Sequence, residues 1–144
     1  MKRNSVVFVD TTAWLAILDE NNQHYKSARE FYERLLDQNS KLVSSNVVID
    51  ETLSALKKHF GSDFTQKFLE IIDESMLSIN LKVDWISRRI RRNALNNFLK
   101  SSTGQLQLRH YYINESLKRK KVDIVFSYDP DLKYFDFPVM PQNA

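Results

Sequence analysis

Three acidic residues stand where ligand sites form in proteins built on a parallel sheet. Asp10 ends the first predicted strand, Glu51 lies one turn into the helix after the second, and Asp129 follows a strand late in the chain. Because such sites lie beyond the carboxyl ends of the strands, we expect the three side chains to converge. Converging carboxylates need a cation between them to stay ionised, and oxygen ligands suit Mg2+. The predicted chemistry is a metal ion that polarises a phosphodiester and lowers the pKa of an attacking water.

Each acid also has a structural interpretation, and the sequence leaves it open for two of them. Asp10 and Asp129 are of the residue types that cap helices and form turns. Glu51 lies among apolar neighbours such as Val48 and Leu53, on a helix expected to face inward. A buried carboxylate needs a partner, which favours a functional role for Glu51.

Alternating strands and helices position these acids. The residue pattern predicts strands at Ser5–Val9, Leu42–Ser45, Met76–Asn80, Val122–Phe126 and Phe137–Met140. Helices are predicted from near Ala13, from Tyr25 to Leu36, and over Val47–His59, Asp63–Glu74, Val83–Leu99 and Leu106–Arg119. This order predicts one α/β domain over residues 1–144, with a mostly parallel sheet of about four or five strands covered on both faces.

The composition is that of an ordinary globular protein and excludes several classes of site. The 144 residues are 42% apolar and 27% charged, and they include no cysteine, which rules out thiolate sites and disulfides. Gly61 and Gly104 are the only glycines and cannot form a Gly-rich phosphate loop. The apolar segment Val6–Val9 is too short for a signal peptide or a membrane span, so we expect a cytoplasmic, non-membrane protein. The net charge of +3 permits a polyanionic partner without demonstrating one.

Four segments resemble the motifs of PIN domains, in the same order along the chain. An apolar strand ends in Asp-Thr, a His and an Ala begin the second helix, a strand leads to an internal Glu, and Phe-Ser-Tyr-Asp is similar to a late Phe-Thr-x-Asp motif. These segments are Val7–Trp14, His24–Ala28, Leu42–Leu53 and Val125–Leu132. The resemblance therefore spans nearly the whole chain.

The resemblance implies a three-layer α/β/α fold and a nuclease site that holds Mg2+ or Mn2+. Asp10, Glu51 and Asp129 match the acids of the family by position, and Thr11 and Ser127 match its neighbouring hydroxyls. Many small family members are toxins of type II toxin–antitoxin pairs. The implied function is thus an endoribonuclease that acts on RNA, forms a homodimer and is neutralised by an antitoxin protein.

The chain departs from the family at one further acid, which normally begins the helix before the late strand. That position falls on His110, which could ligate a metal or act as a base. The alternative is an impaired PIN scaffold that binds RNA or a protein partner. Asn114, one helical turn further on, could also face the pocket, and Arg109 is a candidate for contact with a substrate phosphate.

Two runs of basic residues offer a second route to RNA binding. Arg88–Arg92 is interpreted equally well as a track for RNA phosphates and as a solvated helix face. Lys118–Lys121 is better explained as a basic helix end. Enzymes that form an aspartyl phosphate usually have a second Asp two residues after the first, and Thr12 occupies that position here.

Overall fold

A computed structural model of the chain describes residues 2–78 and 80–141. Its strands are β1 (Val6–Val9), β2 (Lys41–Ser45), β3 (Leu81–Asp84), β4 (Ile124–Phe126) and β5 (Val139–Met140). Its helices are α1 (Thr11–Leu18), α2 (Tyr25–Asp37), α3 (Asn46–Phe60), α4 (Ser62–Leu77), α5 (Arg88–Lys100) and α6 (Leu108–Arg119), and a 3-10 helix spans Pro130–Tyr134.

The five strands form one parallel sheet in the order β3-β2-β1-β4-β5. The chain fills one side of β1 first, with β2 and β3, and then crosses to the other side with β4 and β5. The carboxyl end of β1 is therefore the point where the strand order reverses, which is where open α/β sheets bind ligands. The predicted three-layer α/β/α fold with a parallel sheet is confirmed.

Apolar strands buried between helices explain why this sheet forms. Val7, Phe8 and Val9 of β1 are fully buried, as parallel strands with both faces covered must be. The helices begin and end at residues suited to those positions. Ser45 caps α3 by accepting a hydrogen bond from Val48 N–H, and Gly61 ends it at a φ of 86°, in the left-handed region that favours glycine.

The third predicted strand was misplaced. Met76 and Leu77 continue helix α4, and β3 instead begins at the buried Leu81. Ile79 lies outside the described residues. Because Val83 and Asp84 belong to β3, helix α5 begins only at Arg88, after the cap Ser87, and not at Val83 as predicted.

The remaining predicted elements are present, and three of them begin later than predicted. Helix α6 begins at Leu108, strand β4 at Ile124 and strand β5 at Val139. The predicted turn at Asp129–Asp131 is the start of the 3-10 helix, where Asp129 accepts a hydrogen bond from Asp131 N–H. Among the described residues, no helix has the length and apolar character needed to cross a membrane.

Candidate metal centre

Asp10 lies at the carboxyl end of β1 and is fully buried. It precedes helix α1, but its side chain does not cap that helix. Instead its Oδ2 atom accepts hydrogen bonds from Ser127 Oγ at 2.8 Å and from Thr12 Oγ1 at 3.1 Å. Of the two interpretations left open for Asp10, the structure therefore supports the pocket carboxylate.

The two hydroxyls also join the end of β1 to the segment after β4. Thr12 Oγ1 accepts a hydrogen bond from Tyr128 N–H, and Ser127 Oγ accepts one from Asp129 N–H. Each hydroxyl has a single proton, and donation to Asp10 uses both. These contacts fix Asp10 relative to Asp129, the acid that follows β4.

Glu51 extends from helix α3 to the same edge of the sheet. Thr11 Oγ1 lies 3.3 Å from its Oε1 atom, within donating distance. The side chain is 36% exposed, so the expectation of a buried carboxylate was wrong. Its neighbours Val48, Ile49 and Thr52 take the buried side of α3, which leaves Glu51 at the rim.

Arg109, in the first turn of α6, binds all three acids at once. Its Nη2 atom lies 2.9 Å from Asp10 Oδ1, its Nε 2.9 Å from Glu51 Oε2 and its Nη1 3.1 Å from Asp129 Oδ2. Each guanidinium nitrogen thus donates to a different carboxylate. Arg109 was expected to contact a substrate phosphate, but the structure places it between the acids.

The charges around Arg109 set its pKa. Burial lowers the pKa of its guanidinium, but the charge of Asp10, together with the charge and hydrogen bond of Glu51, outweighs burial and raises the pKa above its ordinary value. With the three carboxylates ionised, the cluster carries an excess of two negative charges. One arginine therefore neutralises the group only in part.

His110 is buried beside the cluster and contacts Asp129. Its Nδ1 atom accepts a hydrogen bond from Gln107 N–H at 2.9 Å, so Nδ1 carries no proton. The ring proton of a neutral imidazole is then on Nε2, which lies 2.9 Å from Asp129 Oδ2 and donates to it. In this arrangement His110 orients Asp129 and has no free lone pair at Nε2 for a metal.

Among residues 2–78 and 80–141, one group of three possible ligands has all its ligand atoms within 4.8 Å of one another, and the three acids around Arg109 are not that group. The group that meets this distance comprises His110, Asp129 and Asp131. The proton on His110 Nε2 argues against a metal held by all three. The cluster of Asp10, Glu51 and Asp129 is the better candidate because all its donor atoms are carboxylate oxygens.

The other predicted site residues divide into two groups. Ser127 and Thr11 contact the acids as described. Asn114 is half-buried on α6. Within the described chain, the structure shows no hydrogen bond between Asn114 and the three acids, and its pocket role stays a prediction.

The basic runs lie outside the acidic cluster. The arginines at 88, 89, 91 and 92 are exposed on α5, which agrees with either interpretation of that run. In the second run, Lys118 pairs with Glu115 and Arg119 pairs with Asp84. This pairing agrees with the structural interpretation of the helix end.

Two contributors were missed by the sequence reasoning. Asp84, at the end of β3, is 2% exposed and accepts hydrogen bonds from Ser116 Oγ at 2.7 Å and from Arg119 Nη1 at 2.8 Å. These bonds anchor α6, the helix that carries Arg109. The alternation of Leu81 and Val83 could have identified this strand and its terminal acid. Thr12 was also missed, although a hydroxyl two residues after a strand-end Asp is within reach of that carboxylate.

The fold and the cluster together define an α/β protein with an acidic site at the topological switch point. The sequence matches the PIN domain family over residues 7–138, so the chain belongs to the PIN domain family. This match confirms the resemblance on which the nuclease expectation rests. A comparison with curated proteins found no match.

Two solved structures have the same fold. One is VapC20 of Mycobacterium tuberculosis, described as a sarcin-ricin loop cleaving toxin, with a TM-score of 0.73 and 17% identity over 91% of this chain and 95% of that one. The other is VapBC2 of Rickettsia felis bound to a promoter DNA fragment, with a TM-score of 0.67 and 12% identity over 96% of this chain and 99% of that one. At these identities the likeness concerns the fold.

Proposed function

We propose that this chain is a Mg2+- or Mn2+-dependent endoribonuclease and the toxin of a type II toxin–antitoxin pair. The observation that carries the proposal is the convergence of Asp10, Glu51 and Asp129 around a single cation at the carboxyl end of β1. In this structure that cation is the guanidinium of Arg109. Its presence supports the view that the carboxylates stabilise positive charge at their centre.

The donor set fits a divalent ion that prefers oxygen. Asp10, Glu51 and Asp129 would hold the ion, and Mg2+ or Mn2+ suits carboxylates of this kind. When bound, the ion would polarise the phosphodiester and lower the pKa of an attacking water. Ser127 and Thr12 hold Asp10 by hydrogen bonds to Oδ2, His110 holds Asp129 and Thr11 donates to Glu51, so the chain itself orients all three ligands.

The family of the chain and its structural neighbours support RNA as the substrate and an antitoxin as the partner. The chain is a PIN-domain protein, and one structural neighbour is described as a toxin that cleaves the sarcin-ricin loop. Another is described as VapBC2. A cytoplasmic location and a homodimer belong to the same proposal, and the net charge of +3 is compatible with a polyanionic substrate.

The test is cleavage of a mixed RNA pool by the purified protein with Mg2+, with Mn2+ and with EDTA. The key variant is Asp129→Asn, which removes a proposed ligand but keeps an oxygen that can cap the 3-10 helix. Asp136→Asn is the matched control, because it removes an exposed carboxylate nearby that belongs to neither group of possible metal ligands. We expect metal-dependent cleavage by the parent and by Asp136→Asn, and its loss in Asp129→Asn. Equal cleavage by both variants would contradict the assignment of Asp129.

A second candidate function is an impaired scaffold that binds RNA or a protein. Two observations favour it: His110 stands where the family normally has an acid, and Arg109 already pairs with the other three acids. The folded parent would then cleave no RNA under any metal. If His110→Asp creates a metal-dependent nuclease from such an inactive parent, the scaffold is the correct function.

A further inference from the structure

The guanidinium of Arg109 lies between the three acids, where a metal ion ligated by all three would also have to lie. Asp10 Oδ1, Glu51 Oε2 and Asp129 Oδ2 all point at it, and they come from three separate elements of the fold. Arg109 belongs to a fourth element, α6. A divalent ion bound by the same oxygens would face a positive charge within contact distance, so the two cations compete for one set of ligands.

We propose that Arg109 is a resident cation, which holds the three acids together in the metal-free protein and must withdraw before Mg2+ or Mn2+ binds. The inference rests on the proposed function, because it concerns the regulation of the same metal site. In the metal-free protein, the pairing with Arg109 offsets the repulsion between the three carboxylates and keeps the site closed. Metal affinity is lowered by the free energy needed to break the three contacts of Arg109.

The surrounding contacts allow the side chain of Arg109 to move while its helix stays in place. Ser116 and Arg119 bind the buried Asp84 further along α6, and His110 accepts from Gln107 N–H at its start. The Arg109 side chain is 19% exposed, so it has a route to solvent. An arginine that leaves the carboxylates would present its planar fork to a phosphate, which it can bind through two parallel hydrogen bonds.

The experiment measures Mn2+ binding by titration calorimetry, after removal of metal with EDTA, for the parent and for Arg109→Gln. Glutamine removes the charge and the three-way fork. We expect Mn2+ to bind the variant about 10- to 100-fold more tightly, as expected when a competitor held by hydrogen bonds between charged groups is removed. We also expect the thermal midpoint of the metal-free variant to be lower than that of the parent, and to rise more on addition of Mn2+.

Arg34→Gln is the matched control, because it removes an exposed arginine of α2, away from the acids and from α6. It should leave Mn2+ affinity unchanged. Arg109→Lys is the second variant, since it keeps the charge but cannot donate to three carboxylates from three fixed nitrogens. Its Mn2+ affinity should lie between those of the parent and Arg109→Gln. If Arg109→Gln does not fold even with Mn2+, the comparison of Arg109→Lys with the parent tests the inference.

The outcomes separate this inference from the proposed function. If the parent and Arg109→Gln bind Mn2+ with equal affinity, Arg109 is only a structural ion pair and the inference is wrong. If neither binds Mn2+ although both are folded, the three acids are not a metal site. That result overturns the proposed function and, with it, the inference.

Discussion

Replacing Asp10 by Asn should separate the function of the site from the stability of the fold. Asparagine has the same shape as aspartate but no charge, and one of its two terminal groups is a donor. Asp10 now accepts one hydrogen bond from Arg109 and two from the hydroxyls of Ser127 and Thr12. An asparagine can keep its oxygen toward Arg109 and turn its NH2 group toward the hydroxyls.

The stability cost should be moderate because only one of the two hydroxyl protons finds a new acceptor. Ser127 Oγ and Thr12 Oγ1 are 3.1 Å apart, so one can donate to the other once Asp10 no longer accepts from both, and the second hydroxyl proton loses its partner. The difference between hydrogen bonds to charged and to neutral groups is about 1 kcal/mol for each of three bonds. Removing one charge from a cluster with excess negative charge offsets part of that loss. With the unpaired hydroxyl proton included, we expect the free energy of unfolding to fall by about 2–3 kcal/mol.

The effect on metal binding and cleavage should be much larger. Loss of a group that only supports a metal ligand typically costs 10- to 100-fold in affinity, so loss of a direct ligand should cost about 100-fold or more. Mn2+ titration, cleavage of the RNA pool and urea unfolding on the same preparations measure the three quantities. A folded Asp10→Asn protein that binds Mn2+ and cleaves RNA within about threefold of the parent would refute the role of Asp10. An unfolding free energy lowered by more than about 4 kcal/mol would refute the reorientation of the hydroxyls.

Two further predictions concern stability. Ser116→Ala removes the 2.7 Å hydrogen bond to the buried Asp84, so the free energy of unfolding, measured in urea, should fall by about 1.5–3 kcal/mol. Mn2+ affinity should stay at the parent value. A fall below about 0.5 kcal/mol would contradict the role of this hydrogen bond in anchoring α6. Burial raises the pKa of Tyr32 above its ordinary value of 10.0, against the lowering charge of Arg29. The folded chain thus holds the Tyr32 proton more tightly than the unfolded chain does. The resulting contribution to the free energy of unfolding is complete below about pH 10 and is lost as the pH rises above it. The free energy of unfolding, measured in urea, should fall more steeply above about pH 10 for the parent than for Tyr32→Phe. Parallel declines of the two would contradict the raised pKa of Tyr32.

The sequence by itself determined the fold and the position of the acids along it. A β-branched strand that ends in Asp10, followed by helices and further apolar strands, specifies a parallel sheet, because such strands are stable only when both faces are covered. Residues that follow parallel strands meet at one edge, so the convergence of Asp10 and Asp129 was predictable from strand order alone. These inferences depend on local pattern and on the topology it permits.

The tertiary structure decided which side chains fill the site. Arg109 and His110 are adjacent in sequence, and only the packing of α6 in the folded chain places Arg109 between the acids and His110 against Asp129. Strand β3 was misplaced because its short apolar pattern competes with the helices on both sides, so the buried Asp84 and its hold on α6 were missed. Side-chain direction depends on helix rotation and long-range packing, and a local sequence pattern carries little information about either.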